Sequence, residues 1–186
     1  REAQSYWYGA MLLAFGGMQF LFPPLLGALS DHFGRRPVLL ISIAGLGTMF
    51  LATPLVGSLT ALVATRLFGG ALAANFSVAN AYVADISSPE QRARGFGMIG
   101  AAFGVGFVLG PMMGGLLGHY DIRLPFFVAA ALSFLNFAYG LFVLPESLPP
   151  ERRKTFAWTR ANPLGSLRLL RSHPELFGLA GVAFLL

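Results

Sequence analysis

Five long apolar stretches, separated by short polar segments, dominate the pattern of this chain. A helix needs about 20 residues, at about 1.5 Å each, to cross a hydrocarbon layer of roughly 30 Å. The pattern therefore predicts an all-α, polytopic membrane protein built as a bundle of spanning helices. The stretches that reach this length lie near residues 6–29, 38–56, 59–83, 95–117 and 124–144, and a sixth begins near Leu176.

Composition agrees with a lipid environment. Of the 186 residues, 55% are hydrophobic and only 11% are charged, whereas soluble domains are roughly 25% charged. The chain has no cysteine, which excludes disulfides and cysteine-ligated metal sites. The sequence shows no catalytic triad or set of metal ligands, and the three histidines fall at helix ends or in a polar segment. We therefore expect a protein that is not an enzyme and holds no metal.

The basic residues indicate how the chain crosses the membrane. Short cytoplasmic loops carry an excess of lysine and arginine. The joints after the first, third and fifth stretches hold Arg35, Arg36, Arg92, Arg94, Arg152, Arg153, Lys154, Arg160, Arg168 and Arg171. The other two joints hold only Arg123. The chain is thus expected to enter from outside, cross five times and leave inward after Leu144. Because the net charge of +5 is not gathered on one face, the expected partner is the lipid bilayer and not nucleic acid.

A charged turn with the pattern G-x-x-x-D-x-x-G-R-R joins the first two stretches. Its fixed positions are Gly27, Asp31, Gly34, Arg35 and Arg36. The charges can be interpreted as a solvated turn with basic anchors or as a functional network. The complete pattern between two membrane stretches resembles the signature loop between the second and third helices of the major facilitator superfamily. That resemblance implies that the Asp and its Arg partners latch two halves of a transporter at the cytoplasmic face and stabilise its outward-open state.

Two further features of this turn are expected from general chemistry. Gly27 and Gly34 should allow close backbone approach and a sharp turn. The carboxylate of Asp31 should gain about 0.3–1 kcal/mol from facing a helix N-terminus.

The third stretch contains Arg66, about seven residues from its outer end and therefore roughly 10 Å deep. An arginine at this depth costs a few kcal/mol unless it is paired or hydrated, or it can snorkel to the interface. The spacing Arg66-x-x-x-Gly70-x-x-x-Ala74 resembles the fourth-helix motif of the superfamily. The resemblance implies a role for Arg66 in proton coupling, with the proton as coupling ion and no cofactor.

The segment from Asp85 to Gly95 follows the third stretch. It resembles the loop between helices four and five of drug/proton antiporters, which implies that Asp85 and Arg92 join the cytoplasmic charge network. Asp85 would then pair with Arg35 or Arg92. The same segment also fits a helix cap, because Ser87 or Ser88 precedes Pro89-Glu90 and serine is a favoured N-cap residue.

The fourth stretch carries glycines at every fourth position from 106 to 118. Such a ridge admits close helix packing, and a proline within it should kink the helix. The pattern G-x-G-x-x-x-G-P-x-x-G-G resembles the fifth-helix antiporter motif of exporters in the superfamily, which favours export over import. The alternative is a helix–helix seam without directional meaning. The motif residues are Gly104, Gly106, Gly110, Pro111, Gly114 and Gly115.

Polar side chains within the apolar stretches are candidates for a central substrate cavity. Each needs a hydrogen-bonding partner or water inside a membrane. The sequence leaves interhelical hydrogen bonds and cavity lining as equal alternatives for them. The candidate cavity residues are Gln19, Asn75, Asn80 and Asn136.

Taken in order, these motifs resemble the tetracycline-resistance branch of the drug/proton antiporter-1 family over residues 6–146. Tetracycline exporters carry an acidic residue within the third helix. Residues 43–55 contain none, and Met49 stands about where it would fall. This difference supports a multidrug-type antiporter and counts against tetracycline as the substrate.

The resemblance also predicts the domain organisation of a longer protein. Residues 1–145 would form an N-terminal transmembrane half without its first helix, and residues 175–186 would begin helix seven. Between them, residues 146–174 would form a cytoplasmic linker, with a short surface helix near 163–172. The chain would be a fragment carrying helices two to six, and its partner would be the C-terminal half of the same protein.

The expected function is a multi-pass, proton-coupled exporter of lipophilic small molecules in the bacterial inner membrane, working by alternating access. Two alternatives remain. One is a proton-linked importer of a small metabolite, and the other is a non-transporting membrane receptor on the same scaffold.

Overall fold

The computed structural model describes residues 2–158 and 161–162, with side chains from residue 6 onward. All regular structure in these residues is helical. The helices are α1 Glu2–Leu21, α2 Pro23–Phe33, α3 Arg35–Ala52, α4 Leu59–Ala73, α5 Phe76–Ile86, α6 Arg92–Tyr120, α7 Leu124–Val143 and a short 3-10 helix, Pro150–Arg152. The predicted surface helix near 163–172 and the sixth stretch lie outside the described residues.

The described helices form up to five membrane-crossing units by length and composition, which confirms the five predicted stretches. Helices α3, α6 and α7 are each long enough to span alone. Helices α4 and α5 together form one unit, Leu59–Ile86. Helices α1 and α2 form a pair bent by 41°.

The bend and the break inside two of these units were not predicted. The α1–α2 bend falls at Pro23-Pro24, where proline removes a backbone donor and its ring clashes with the preceding turn. The α4–α5 break falls at Ala74-Asn75. The two irregular points are neighbours, because the Ser77 hydroxyl lies 3.2 Å from the carbonyl oxygens of both Pro23 and Ala74. Pro111, by contrast, lies within the unbroken helix α6.

All three joints that are rich in basic residues lie at one end of the bundle. Arg35, at the start of α3, contacts Asp85 at the end of α5 and Glu146 just after α7. The prediction that these joints share one side is therefore confirmed, and the charge rule assigns that side to the cytoplasm.

Helix α3 lies centrally and packs against α2, α4, α5 and α7, while α1 runs along α4. A buried cluster from α2, α3 and α5 lies near the end of the bundle that holds the basic joints, and Val78 in this cluster is fully buried. The Tyr82 hydroxyl donates to the Pro145 carbonyl at 3.0 Å, which attaches the end of α7 to this cluster.

Close helix approach occurs at glycines outside the predicted ridge. A Cβ atom on Gly70 would collide with the backbone carbonyl of Phe15, and one on Gly140 would lie 2.9 Å from Leu40 Cδ2. At Gly106 and Gly110 an added Cβ would meet nothing within 4 Å. The close packing expected of the α6 ridge is therefore not found among the described residues and stays a prediction.

Replacing Gly70 with alanine is expected to destabilise the protein by about 1–3 kcal/mol, because overpacking forces helices apart. Backbone atoms of α1 cannot move aside as a flexible side chain could. Gly97→Ala is the matched control, since a Cβ at Gly97, unlike one at Gly70, would meet nothing within 4 Å. Melting temperatures in detergent should fall for Gly70→Ala only, and equal values for both variants would contradict this packing.

Candidate functional site

Arg35 is the centre of a cluster of charged side chains at the end of the bundle that holds the basic joints. It is the first residue of α3 and is 9% exposed. Its Nη1 lies 2.6 Å from Asp31 Oδ1, one turn earlier in α2, and donates to the Ser30 hydroxyl at 2.6 Å. Its Nε donates to Asp85 Oδ2 at 3.0 Å. One guanidinium therefore joins the ends of α2 and α5 to the start of α3, using the fork of donors that arginine provides.

Sequence analysis left Arg35 and Arg92 as alternative partners of Asp85, and in the structure the partner is Arg35. The carboxylate pairs with Arg35 and also accepts a hydrogen bond from the Ser147 hydroxyl at 3.3 Å. The Arg92 side chain is exposed and makes no hydrogen bond or ion pair with the described residues. The predicted place of Arg92 in the network is therefore not reproduced there, because α6 begins at Arg92 and holds it apart from the cluster.

The alternative helix-cap prediction for Ser87 and Ser88 is wrong. Helix α6 starts later than expected, and its N-cap, Gln91, makes no side-chain cap hydrogen bond. The Ser88 hydroxyl instead donates a hydrogen bond to the Glu90 carboxylate, in the turn that precedes α6. Hydrogen bonds from its own backbone N–H and from that hydroxyl lower the pKa of Glu90, which is fully exposed.

Glu146 belongs to the cluster and was missed by sequence analysis. Its Oε1 accepts hydrogen bonds from the backbone N–H groups of Arg35 at 2.9 Å and Leu148 at 3.0 Å. Its Oε2 accepts from Arg36 N–H at 3.3 Å. These bonds satisfy two of the free donors at the start of α3. No local pattern points to a cap supplied from 111 residues away.

The carboxylate at the N-terminus of α3 is therefore that of Glu146 and not that of Asp31, which corrects the expectation. Asp31 lies in the last turn of α2, where the helix dipole disfavours a negative charge. Arg35 at 2.6 Å supplies the compensating charge.

Gly34 makes the sharp turn that was predicted, and it has a tertiary reason to lack a side chain. Its φ of 108° lies in the region that favours glycine. An added Cβ would collide with Glu146 Oε2 and lie 3.1 Å from an Arg153 nitrogen. Gly27, by contrast, has nothing within 4 Å of a Cβ, so the close approach expected there is not found among the described residues.

The substitution Gly34→Ala is expected to destabilise the turn by about 1–3 kcal/mol, from backbone strain and displacement of the Glu146 carboxylate. Gly27→Ala is the matched control within the same motif. We expect a lower melting temperature and reduced transport for Gly34→Ala alone. If Gly27→Ala has the larger effect, packing beyond the described residues controls this motif.

The connector after α7 folds back onto the cluster. The Lys154 backbone N–H donates to the Asp31 carbonyl at 2.9 Å, and its Nζ lies 3.8 Å from Asp31 Oδ2. His32 Nδ1 lies 3.0 Å from the Lys154 carbonyl oxygen. The first part of the predicted linker is thus docked against the α2–α3 turn.

Arg66 is half-buried and lies beside an apolar cavity of about 310 Å³. Its Nη2 donates to the Thr53 hydroxyl at 2.5 Å, and its guanidinium carbon lies 5.7 Å from the centre of the Phe126 ring. Its Nε is buried without a hydrogen-bond partner in the described part of the chain. The residues lining this cavity include aromatic rings, such as Phe15 and Phe126, and no carboxylate.

A second cavity, of about 640 Å³, lies at the α1–α2 bend and the α4–α5 break. Three of the four candidate cavity residues line it: Gln19, Asn75 and Asn80. The rings of Phe76 and Phe103 lie 6.3 Å apart at its wall. The structure does not bring Asn136 to this cavity; it is an exposed residue of α7.

The candidate antiporter motif lies on a helix face that is open in the described residues. An added Cβ at Gly104, Gly106, Gly110, Gly114 or Gly115 would meet nothing within 4 Å. Gly110 and Gly114 border a small gap of about 140 Å³ between α6 and α7. Among the side chains of residues 6–158 and 161–162, no group of three His, Asp or Glu could hold a metal ion.

Comparison with known proteins connects this geometry to a family. A sequence model described as Major Facilitator Superfamily matches residues 3–186. The chain belongs to the major facilitator superfamily. It is therefore a multi-pass membrane protein of a transporter family, as the motifs predicted.

The relatives include drug-resistance proteins. The class C tetracycline resistance protein of Escherichia coli is 44% identical over 179 residues, which are 96% of this chain and 45% of that protein. The class B protein of Escherichia coli is 39% identical over 140 residues, covering 75% and 35% of the two chains. The predicted resemblance to the tetracycline-resistance branch is confirmed.

Mammalian proteins are also similar. Human major facilitator superfamily domain-containing protein 10 is 43% identical over 154 residues, covering 82% of this chain and 33% of that protein. A crystal structure of the human organic anion transporter MFSD10 superposes with a TM-score of 0.78 at 37% identity, covering 88% of this chain and 39% of that one. The chain thus spans less than half the length of these relatives. Because they come from both bacteria and mammals, family membership assigns no source.

Proposed function

We propose that the complete protein containing this chain is a proton-coupled exporter of lipophilic small molecules in the bacterial inner membrane. This chain would supply its N-terminal half without the first helix, and residues 146–174 would link to the C-terminal half. The observation that carries the proposal is the assembled cluster of Arg35 with Asp31 and Asp85, in a chain 44% identical to a tetracycline resistance protein.

The cluster is suited to a two-state switch. Alternating access requires interactions that form in one arrangement of the halves and break in the other. Arg35 holds the ends of two helices by charge-assisted hydrogen bonds of 2.6–3.0 Å. Asp31 keeps 28% of its side chain exposed, so it remains accessible to a group from the other half. Closure of this contact would stabilise the outward-open state.

Proton coupling would use Arg66. A guanidinium deep in a membrane is costly and usually has a functional reason. Here it is held by Thr53 and Phe126 and keeps a buried Nε unpartnered in the described residues. It is therefore placed to stabilise a carboxylate in its charged form and to release that carboxylate once it is protonated. The carboxylate would come from outside the described residues.

The larger cavity would form this half's share of the substrate site. Its side-chain amides, Gln19, Asn75 and Asn80, can donate and accept hydrogen bonds. Phe76 and Phe103 supply flat apolar surface. None of its lining residues carries a charge. A lipophilic molecule with a few hydrogen-bonding groups fits this lining better than a highly charged one, because a charge here would lack a counter-ion.

A second candidate substrate class is lipophilic organic anions. It is favoured by the cation of Arg66 beside an apolar cavity, and by similarity to a structure described as a human organic anion transporter. Aromatic walls and one positive charge are the features that a hydrophobic carboxylate requires.

The proposed function is tested with the complete protein in an efflux-deficient bacterium. Cells are loaded with ethidium, tetracycline or a fluorescent lipophilic carboxylate, and retention is measured with and without a protonophore. Protonophore-sensitive loss of ethidium or tetracycline supports the drug exporter, and loss of the carboxylate alone supports the second candidate. Accumulation of a probe would favour import. Retention of all three, with no proton–substrate exchange in vesicles, would favour a receptor on this scaffold. The Arg94→Ala protein serves as a matched control, because Arg94 is exposed and its side chain makes no hydrogen bond or ion pair with the described residues.

A further inference from the structure

The start of α3 and the end of α7 cap each other. Glu146, three residues beyond the end of α7, accepts hydrogen bonds from the backbone N–H groups of Arg35 and Arg36. In return, Arg36 Nη2 donates to the Leu141 carbonyl in the last turn of α7 at 2.6 Å. A carboxylate at a helix N-terminus and a guanidinium at a C-terminus are the placements that the helix dipoles favour. Each helix therefore supplies the group that satisfies the other's end.

This mutual capping fixes the position of the Arg35 backbone, from which the side chain extends. Arg35 is a cation in the first turn of a helix, where the dipole disfavours it. Its backbone N–H is held by Glu146 Oε1, while its side chain reaches Asp31 and Asp85. Movement of the first turn of α3 would move the guanidinium away from both carboxylates. Glu146 thus controls the network without touching the Arg35 guanidinium.

The same carboxylate also anchors the connector. Glu146 Oε1 accepts from Leu148 N–H, and the Leu148 carbonyl accepts from Arg153 Nε at 3.4 Å. One residue further, Lys154 bonds to the Asp31 carbonyl. The segment 146–154 is therefore held to the α2–α3 turn at its first residue, Glu146, and at its last residue, Lys154.

We propose that Glu146 is a positioning residue for the Arg35 network. It fixes the first turn of α3 so that Arg35 reaches Asp31 and Asp85, and it makes residues 146–154 part of the cytoplasmic latch. The transport consequence rests on the proposed function, whereas the structural consequence does not.

The structural consequence is tested by limited trypsin digestion of the complete protein in inside-out vesicles. The connector sites are Arg152, Arg153 and Lys154, and the reference sites are Arg92 and Arg94. Glu146→Gln keeps the size of the side chain but loses the charge and one acceptor. We expect cleavage at the connector to rise about tenfold, because cleavage tracks the opened population and charge-assisted hydrogen bonds restrain it.

The matched control is Glu151→Gln, in the same connector. Glu151 is exposed and makes no hydrogen bond to the described residues. It should leave connector cleavage unchanged, and cleavage at the reference sites should stay constant in both variants. Equal acceleration at connector and reference sites, or none at the connector, would overturn the proposal.

The positioning role is tested by a double-variant cycle on the efflux rate. Glu146→Gln and Arg35→Lys are measured singly and together. If Glu146 acts through Arg35, the double variant should be no slower than Arg35→Lys alone. Independent, multiplying losses would mean that Glu146 acts only on stability, and would overturn the role. If the complete protein shows no efflux, the tryptic result alone decides the proposal.

Discussion

Replacing Arg35 with alanine is expected to abolish transport and to weaken the cytoplasmic end of the bundle. The change leaves Asp31 and Asp85 together without their shared cation. Removing one partner of a buried ion pair costs about 3–5 kcal/mol. We expect the lower end of this range, because the two acidic side chains are 28% and 25% exposed. Every 1.4 kcal/mol or so is a factor of ten in an equilibrium, so a loss of about 3 kcal/mol corresponds to a fall in efflux of about a hundredfold.

The measurement is initial efflux in inside-out vesicles, normalised to the amount of inserted protein. Arg35→Lys should retain part of the activity, since an ammonium keeps the charge but cannot reproduce two directed N–H contacts. Arg92→Ala is a stringent control, because that residue was predicted to join the network and stands apart from it in the structure. Arg92→Ala should transport normally. A loss in Arg92→Ala as large as that in Arg35→Ala would mean that the cluster described here is not the functional one.

Replacing Arg66 with leucine should abolish proton-driven efflux while leaving the protein as stable as before. The guanidinium contributes one hydrogen bond to Thr53 and one ring contact, against the cost of holding a cation within the membrane. Its loss should therefore leave the melting temperature within a few degrees, and efflux should fall by about a hundredfold, the effect of removing a buried interaction worth about 3 kcal/mol.

The control is Thr53→Val, which removes the hydroxyl bonded to Arg66 but keeps its charge. We expect a loss of about tenfold, which corresponds to the lower value of one hydrogen bond to a charged group, about 1.5 kcal/mol. Facilitated, downhill movement of the substrate should survive in Arg66→Leu, because only the coupling is lost. Full proton-driven efflux in that variant would remove Arg66 from the mechanism.

Much of the fold could be predicted from the sequence because it rests on local properties. Length and apolarity decide which stretches can cross a bilayer, and the basic residues of the joints decide which ends lie together. The pairing of Asp31, Arg35 and Asp85 follows in part from the same reasoning. Helix ends on one side of a membrane bring opposite charges close enough to form ion pairs. The motif added that these residues act as a group.

The interruptions within the spans were harder to predict from the sequence. Pro23-Pro24 is a local signal for the α1–α2 bend. It was overlooked because it lies within one long apolar stretch. The α4–α5 break at Ala74-Asn75 has no comparable signal. It lies beside the α1–α2 bend, where the Pro23 carbonyl oxygen is 3.2 Å from the Ser77 hydroxyl.

By itself, the sequence determined the helical class, the five spans, the side on which the charges lie and the membership of Asp31, Arg35 and Asp85 in one network. Only the tertiary structure decided that Glu146 caps α3, that Arg92 stands apart and that Gly70 and Gly140, not the α6 ridge, are where the described helices approach closely. The physical reason is distance along the chain. Hydropathy and charge act within a stretch, whereas a cap, a clash or an ion pair depends on which side chains of remote helices face each other after packing.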